Sequence, residues 1–441
     1  MPQDQLPAVF HRMLAEADAL GSFSLNAWSI SLSGPCPPTP EDLDEEARDT
    51  LSHEFGHFLH YFTTYAGLLD LRAWARALAV LVEGPRAGES PEQRVNRQAA
   101  AVLSINRAKQ VLSIDDFYYF EPRWDRMQEA LDEGPDNWSW GEVVGSLLRA
   151  DGTTSPRKFW GLRFYLGPRE DDRSFLRLPL GLRTILEHMA EGVDFTSTVL
   201  KGDDDAALAH LARTIEAAHD PERAHYYALT HRLSSVLGKL YSRSERQLTF
   251  QVSGQLMSVL ADLPFDEPAV WSDLRAFAQQ VDPQLAAHME HPHPSFVYPL
   301  LLKAFESLAI PIDQLMDWAA SEQTADELVG VMGLPDFHTL LLKRNALSEE
   351  VESILQAGDA VGERVALLRW ARTYEQKLSR SQKYLAPLAR LGEPLPMPLV
   401  FDGGATFPGT ILGIEEYKKL LYFEKRYHEM LRYHAFRDIV E

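Results

Sequence analysis

Through most of the chain, apolar residues recur at spacings of three and four, with Ala, Leu, Arg and Glu abundant between them. That period belongs to helices buried along one face. Two-residue alternation is confined largely to the first half. Ser22 to Ser33 alternates apolar and polar side chains and predicts a half-buried strand. Lys158–Leu166 predicts a second strand, with Ser174–Leu178 as a short partner. Pro, Gly and acidic residues punctuate the pattern at Gly84–Gln93, Asp151–Arg157, Gly167–Arg173 and Asp262–Pro268. Leu391–Gly409, with its Glu-Pro-Leu-Pro-Met-Pro run, predicts an extended loop before a final helix over Ile414–Asp438. No internal repeat and no low-complexity tract is present. The expected fold is α+β and mostly α-helical, with a small sheet and a helical C-terminal region. Its seam is expected near Asp262–Pro268, dividing residues 1–265 from 266–441.

Composition narrows the class. The chain has 441 residues, 45% hydrophobic and 24% charged, which fits a folded globular protein and excludes disordered, collagen-like and coiled-coil classes. Lys and Arg total 43 against 64 Asp and Glu, a net charge of −21. Such a surface repels phosphates and acidic lipids, so neither nucleic acid nor membrane is an expected partner. The single cysteine, Cys36, has no internal partner, which fits a reducing compartment. Met-Pro-Gln-Asp-Gln lacks the basic start and apolar stretch of a secretory signal. The most apolar helical run, Ala73–Val82, carries Arg76 and falls short of the ~20 residues a bilayer requires. A soluble, cytoplasmic protein is expected.

One segment carries chemistry. Thr39 offers an N-cap, Pro40 suits the first helical position, and Glu41, Asp42, Asp44 and Glu45 favour the positive end of the helix dipole. With Gly67 as a stop, a helix is predicted from about Pro40 to Tyr65. On it lies His53-Glu54-Phe55-Gly56-His57, an H-E-x-x-H string. Four residues advance a helix by about 400° and about 6 Å, so both imidazoles leave one face and suit a single Zn²⁺. Glu54 is placed to take a proton from zinc-bound water, whose pKa the metal lowers to roughly 7. The residues around the motif are uncharged, although acids crowd the preceding turns. A buried helix bearing two histidines and a glutamate costs free energy unless something binds them. The alternative is a structural hydrogen-bond cluster on an amphipathic helix.

Thr50–Leu59 resembles the extended signature of the zincin metallopeptidases, in which uncharged residues surround H-E-x-x-H and an apolar residue follows the second His. The run from His57 to Gly67 also resembles a group of uncharacterised bacterial H-E-x-x-H proteins, which usually carry Gln where this chain has His60. The resemblance implies a metallopeptidase-like fold and names no substrate. A catalytic zinc normally takes three protein ligands. The metzincin continuation, Gly and His at three and six positions after the second His, is absent, since those positions hold His60 and Thr63. His60 shares the face of His53 and His57 but sits about 10.5 Å along the axis from His53, which favours a supporting or packed polar role.

A glutamate from another helix, as in gluzincins, is the remaining common solution. Glu187, in Pro179–Gly192, resembles the third-ligand helix of the uncharacterised group and is the preferred candidate. Glu83, which ends the apolar helix after about Leu68, is the second, with a plain helix-end acid as its alternative. Glu191, one turn after Glu187, would accept the outer N–H of a zinc-bound imidazole, as in thermolysin-like enzymes. Gluzincins often take an oxyanion donor, Tyr or His, from the region holding His225, Tyr226, Tyr227 and His231; Tyr226 and Tyr227 point to different sides of a helix, so at most one serves. Zincins commonly add an extended substrate to a sheet edge beside the active-site helix, a place that Ser22–Ser33 would fill unless it is an internal strand.

Three features remain. His288, His291 and His293 offer a second metal site or a turn capping the helix over Ser295–Ser307. Cys36 offers a cysteine switch or a small buried residue, and the C-terminal aromatics read as core or an oligomer face. The expected activity is zinc-dependent hydrolysis of peptide bonds in a peptide or protein substrate, with His53, His57 and Glu187 as ligands and Glu54 as base. The alternatives are a catalytically silent zincin scaffold that binds or regulates a partner, and a zinc hydrolase acting on other amides.

Overall fold

The computed structural model describes residues 21–24, 28–113, 125–126, 138–148, 154–165, 174–200, 256, 258–308, 314, 323–357, 362–378, 383–384, 388, 394–402 and 404–440. Two short strands, β1 (Gly21–Ser24) and β2 (Ser29–Leu32), precede helices α1 (Glu45–Thr63), α2 (Tyr65–Val82) and α3 (Pro91–Ser113). Strands β3 (Asp125–Arg126), β4 (Trp138–Leu148), β5 (Thr154–Tyr165) and β6 (Ser174–Pro179) lead to α4 (Leu182–Leu200). Then come α5 (Pro268–Val281), α6 (Pro283–His288), α7 (Pro294–Leu308), α8 (Thr324–Val331), α9 (Phe337–Ala357) and α10 (Gly362–Glu375). Strands β7 (Leu399–Phe401) and β8 (Thr406–Phe407) precede the last helix, α11 (Ile414–Val440). The fold is α+β and mostly helical, as the periodicity predicts. No helix among the described residues is long and apolar enough to cross a membrane.

The described strands form two sheets, β1-β2-β7-β8 and β3-β6-β5-β4. Ser22–Ser33 is a hairpin instead of one strand: β1 and β2 pair antiparallel, with Phe23 opposite Ile30. A period of two reads the same along one strand or along two arms of a hairpin, so alternation alone hides the reversal. Trp28 enters β2 at a φ of 51°, an unfavourable backbone for a bulky residue. Its fully buried indole packs edge-on to Phe62 at 5.1 Å and against Trp74 at 5.5 Å, which offsets that cost. The predicted loop 391–409 supplies β7, parallel to β2 with Ile30 opposite Leu399, so both ends of the chain meet in one sheet. Three residues among prolines carry too little pattern to announce a strand. In the second sheet β5 and β6 fall where predicted, and β4, which the pattern missed, pairs along β5.

The predicted helix 40–65 is interrupted at both ends. Pro40–Asp42 forms a 3₁₀ turn, and α1 starts after Asp44, whose carboxylate accepts the Ala47 N–H at 2.8 Å. Thr39 instead donates to Asp42. At the other end Thr64 closes α1 and opens α2: its N–H donates to the His60 carbonyl at 2.9 Å, and its hydroxyl oxygen accepts the Gly67 N–H at 3.1 Å. Gly67 is therefore inside α2. It must be glycine because a Cβ there would lie 2.4 Å from the Tyr61 carbonyl oxygen, where the two helices cross.

Helix α1 runs through the core. Phe55, Phe58, Leu59 and Phe62 are buried, and α2, α4, α10 and the first sheet pack around it. Residues before and after the expected 265/266 boundary, from Trp28 to Leu420, belong to one continuous hydrophobic cluster. A buried polar knot also ties the C-terminal half to the end of α1. Asp262 accepts Tyr384 O–H at 2.8 Å and the Tyr65 N–H at 3.2 Å, and lies 3.5 Å from Lys383 Nζ and 3.6 Å from Arg344. Lys383 and Arg344 also pair with Glu375, at 2.8 and 2.6 Å.

Candidate metal centre

The site is built where α1 meets α4. Gly56, inside the H-E-x-x-H turn, brings the helices close: a Cβ there would sit 3.1 Å from Val193 Cγ2 and 3.9 Å from Ala190 Cα. Glycine in a helix interior costs about 0.5–1 kcal/mol relative to alanine, so close packing is what this position gains. Glu187, one turn before Ala190, is thereby carried to His57. Helix α4 runs to Leu200, well past the predicted stop at Gly192.

Three donor atoms converge. His57 Nε2 lies 3.1 Å from His53 Nε2 and 3.2 Å from Glu187 Oε2, and all three ligand atoms fall within 4.8 Å of one another. Donors about 2.0–2.1 Å from a tetrahedral zinc stand roughly 3.3–3.4 Å apart, so two edges of the group already match. Two imidazole nitrogens and a carboxylate oxygen at these distances are a donor set able to hold a divalent transition metal such as zinc or iron. The side chains of His57 and Glu187 remain 15% and 13% exposed, so the group is not sealed from solvent.

No family model matches the chain. No curated protein and no solved structure matches it either.

Glu54 lies between the two histidines in sequence and is only 6% exposed. Burial pushes its carboxyl above the usual carboxylate range, while His53, His57 and a hydrogen bond from the Phe23 backbone N–H pull the other way. His60, one turn beyond His57, is fully buried and outside the triad. Its Nε2 hydrogen-bonds the Lys383 carbonyl at 2.9 Å, which requires the proton on Nε2, and its ring stacks on Tyr384 at 5.4 Å. Burial lowers its pKa to about 3.

Glu83 stands apart from the triad: it caps the end of α2 and pairs with Arg97 at 2.7 Å and Arg86 at 3.1 Å. Glu191 is buried on α4, one turn beyond Glu187. Tyr226 and Tyr227, with His225 and His231, lie outside the described residues. His293 is buried and caps α7, its Nδ1 accepting the Ser295 N–H at 3.1 Å, while His288 and His291 are exposed. Among the described residues, His53, His57 and Glu187 form the one group able to hold a metal. Cys36 is half-buried with its Sγ 3.5 Å from the Pro37 carbonyl. Sequence reasoning missed Gly56 and the Phe23 amide. A glycine between the two histidines was the available signal for the first; a backbone N–H leaves none.

Proposed function

We propose that this chain is a zinc-dependent peptidase whose ligands are His53, His57 and Glu187 and whose proton carrier is Glu54. The observation that carries the reading is the convergence of two imidazole nitrogens and a carboxylate from a different helix, with a second carboxylate adjoining them in α1. Zinc, when bound, supplies Lewis acidity toward water and a peptide carbonyl. The rest belongs to side chains of this chain. The imidazoles present Nε2 lone pairs and so serve as neutral ligands, and Glu187 contributes one negative charge to the cation. Glu54, with its proton affinity raised by burial, accepts a proton at a carboxylate oxygen and delivers it to the leaving amine nitrogen. A buried base of this kind holds the proton between the two transfers better than a solvated one.

Metal analysis of the purified protein tests the ligand set, and a tryptic peptide library from a whole-cell lysate, with new termini read by mass spectrometry, tests the reaction. One zinc per chain and new peptide termini are expected. Glu54→Gln should keep the zinc and lower turnover by about 10²–10⁴-fold, the usual worth of general acid–base catalysis. Undiminished cleavage by Glu54→Gln ends the mechanism. The low exposure of Glu54 favours a second reading, a zinc-holding scaffold that binds a partner without cutting it. Stoichiometric zinc with no new termini selects that reading.

A further inference from the structure

Among the described residues, strand β1 lies at the end of its sheet and pairs on one side only. In an antiparallel pair, the backbone groups of successive residues turn alternately toward the partner strand and away from it. The Ser24 carbonyl turns toward β2's side, where it accepts the Trp28 N–H at 2.7 Å. Phe23, one residue earlier, therefore turns its N–H to the open edge, and that edge rests on α1. The Phe23 N–H faces Glu54 and favours its charged form. Its ring packs edge-on to Phe58 at 6.0 Å and tilted to Tyr61 at 6.4 Å. Two residues earlier, a Cβ at Gly21 would lie 2.4 Å from Thr50 Cγ2 and 3.4 Å from Glu54 Cγ.

We propose that the backbone amide of Phe23 is a positioning group for Glu54, seated by the bare backbone of Gly21. The inference rests on the peptidase reading and adds to it the device that aims the proton carrier. A glutamate carboxylate swings on three side-chain torsions. Pinned through one oxygen to the edge of β1, it keeps the other free for proton transfer beside His53 and His57. Hydrogen bonds to ionised acceptors are the stronger, shorter kind, which suits a buried carboxylate that must not wander. Gly21 lets the strand descend this far: any side chain there meets the Thr50 methyl group, and the strand must lift. No side-chain motif encodes this donor, because every residue except proline carries it.

The test uses the full-length protein and has two arms. In the first, amide hydrogen exchange is followed without added metal. The Phe23 amide should be protected in the wild type and exchange about tenfold faster or more in Glu54→Ala, while Ser22 and Ser24 amides keep their rates. In the second arm, Phe23→Pro is compared with Phe23→Ala on the library peptide that the wild type cuts fastest. Both lose the ring and only proline loses the N–H, and an edge strand tolerates proline where the N–H faces outward. With zinc content unchanged, kcat of Phe23→Pro should fall about tenfold or more below that of Phe23→Ala, with KM within about twofold. Should Phe23→Pro fail to fold, Gly21→Ala takes its place: it should lower kcat, and adding Thr50→Ser, which removes the obstructing methyl, should recover it. Equal kcat for Phe23→Pro and Phe23→Ala overturns the proposal alone, as does a Phe23 amide whose exchange ignores Glu54→Ala. A wild type that binds no zinc or cuts no peptide defeats the peptidase reading, and the positioning role falls with it.

Discussion

Two buried carboxylates, one on helix α1 and one beside its C-terminal end, shift in opposite directions. Glu54 is held above the ordinary carboxylate range. For Asp262, burial also acts to raise the pKa, but Lys383, Arg344 and the Tyr384 hydroxyl hold it below that range. Burial is similar for both, 6% and 2% exposure, so the neighbours decide. Around Asp262, two cations and two anions balance within one knot. Around Glu54 stand two imidazoles and a second carboxylate, Glu187. The first arrangement is complete and serves as a fastener. In the second, two imidazole nitrogens and a carboxylate oxygen converge, which is the arrangement the zinc proposal rests on.

Breaking the fastener should have the largest effect. Lys383→Met leaves Asp262 and Glu375 sharing Arg344 alone, and removal of one partner from a buried ion cluster costs about 3–5 kcal/mol. Urea unfolding measures that loss, and the folded fraction should still take up zinc. A loss below about 1 kcal/mol would mean that the knot is incidental. The opposite outcome is expected on the other side. Glu187→Ala should weaken zinc binding by roughly 10²–10³-fold while unfolding of the metal-free protein shifts little, because a ligand that binds only the folded state stabilises only when present. Competition with a chelator reads the affinity. Equal zinc affinity in Glu187→Ala would remove α4 from the site.

Gly56 joins the two regions, since it governs how closely α4 approaches α1. Gly56→Val places branched methyls against Val193 and should cost about 1–3 kcal/mol as overpacking, with a roughly tenfold loss in zinc affinity as Glu187 is pushed back. Trimming the opposing side chain, Val193→Ala, should return much of both. If the double variant binds zinc no better than Gly56→Val, the spacing argument fails.

These contrasts also explain what was legible beforehand. Periodicity exposes α1 and the helical bulk because a helix face repeats over many residues, and the H-E-x-x-H spacing places His53 and His57 on one side from local geometry alone. Glu187 is singled out by the resemblance of its helix to the third-ligand helix of the uncharacterised group, and that helix extends past Gly192 to Leu200 because packing overrides a single glycine. The Asp262 knot was invisible: its members come from five separate stretches, and none of them forms a motif. Strand β7 was hidden for the same reason, since its partner β2 lies at the opposite end of the chain. The break at Thr64 was also missed, because a threonine that caps two helices at once looks, in sequence, like one more uncharged residue in a helical run.

The smallest predicted effect separates the two regions by pH. His60 touches both: its ring donates to the Lys383 carbonyl, and His57 lies one turn before it. Lys383, Asp262 and His57 are the charged or titratable groups that act on it, and burial dominates, lowering its pKa to about 3. The native state thus keeps this imidazole neutral at a pH where the unfolded chain, near 6.5, takes up a proton. Stability from this residue is complete above pH 6.5 and is lost as pH falls toward 3, since the unfolded state then binds more protons. Glutamine at position 60 still offers an N–H to the Lys383 carbonyl but does not titrate. His60→Gln should therefore match the wild type near pH 8 and gain on it on acidification, by roughly 0.8 kcal/mol at pH 6. His188, also lowered to about 3 by burial, contributes equally to both proteins and cancels in the difference. Parallel stability curves between pH 8 and pH 5 would show that His60 is protonated in the fold, and that its bond to the Lys383 carbonyl does not depend on a neutral ring.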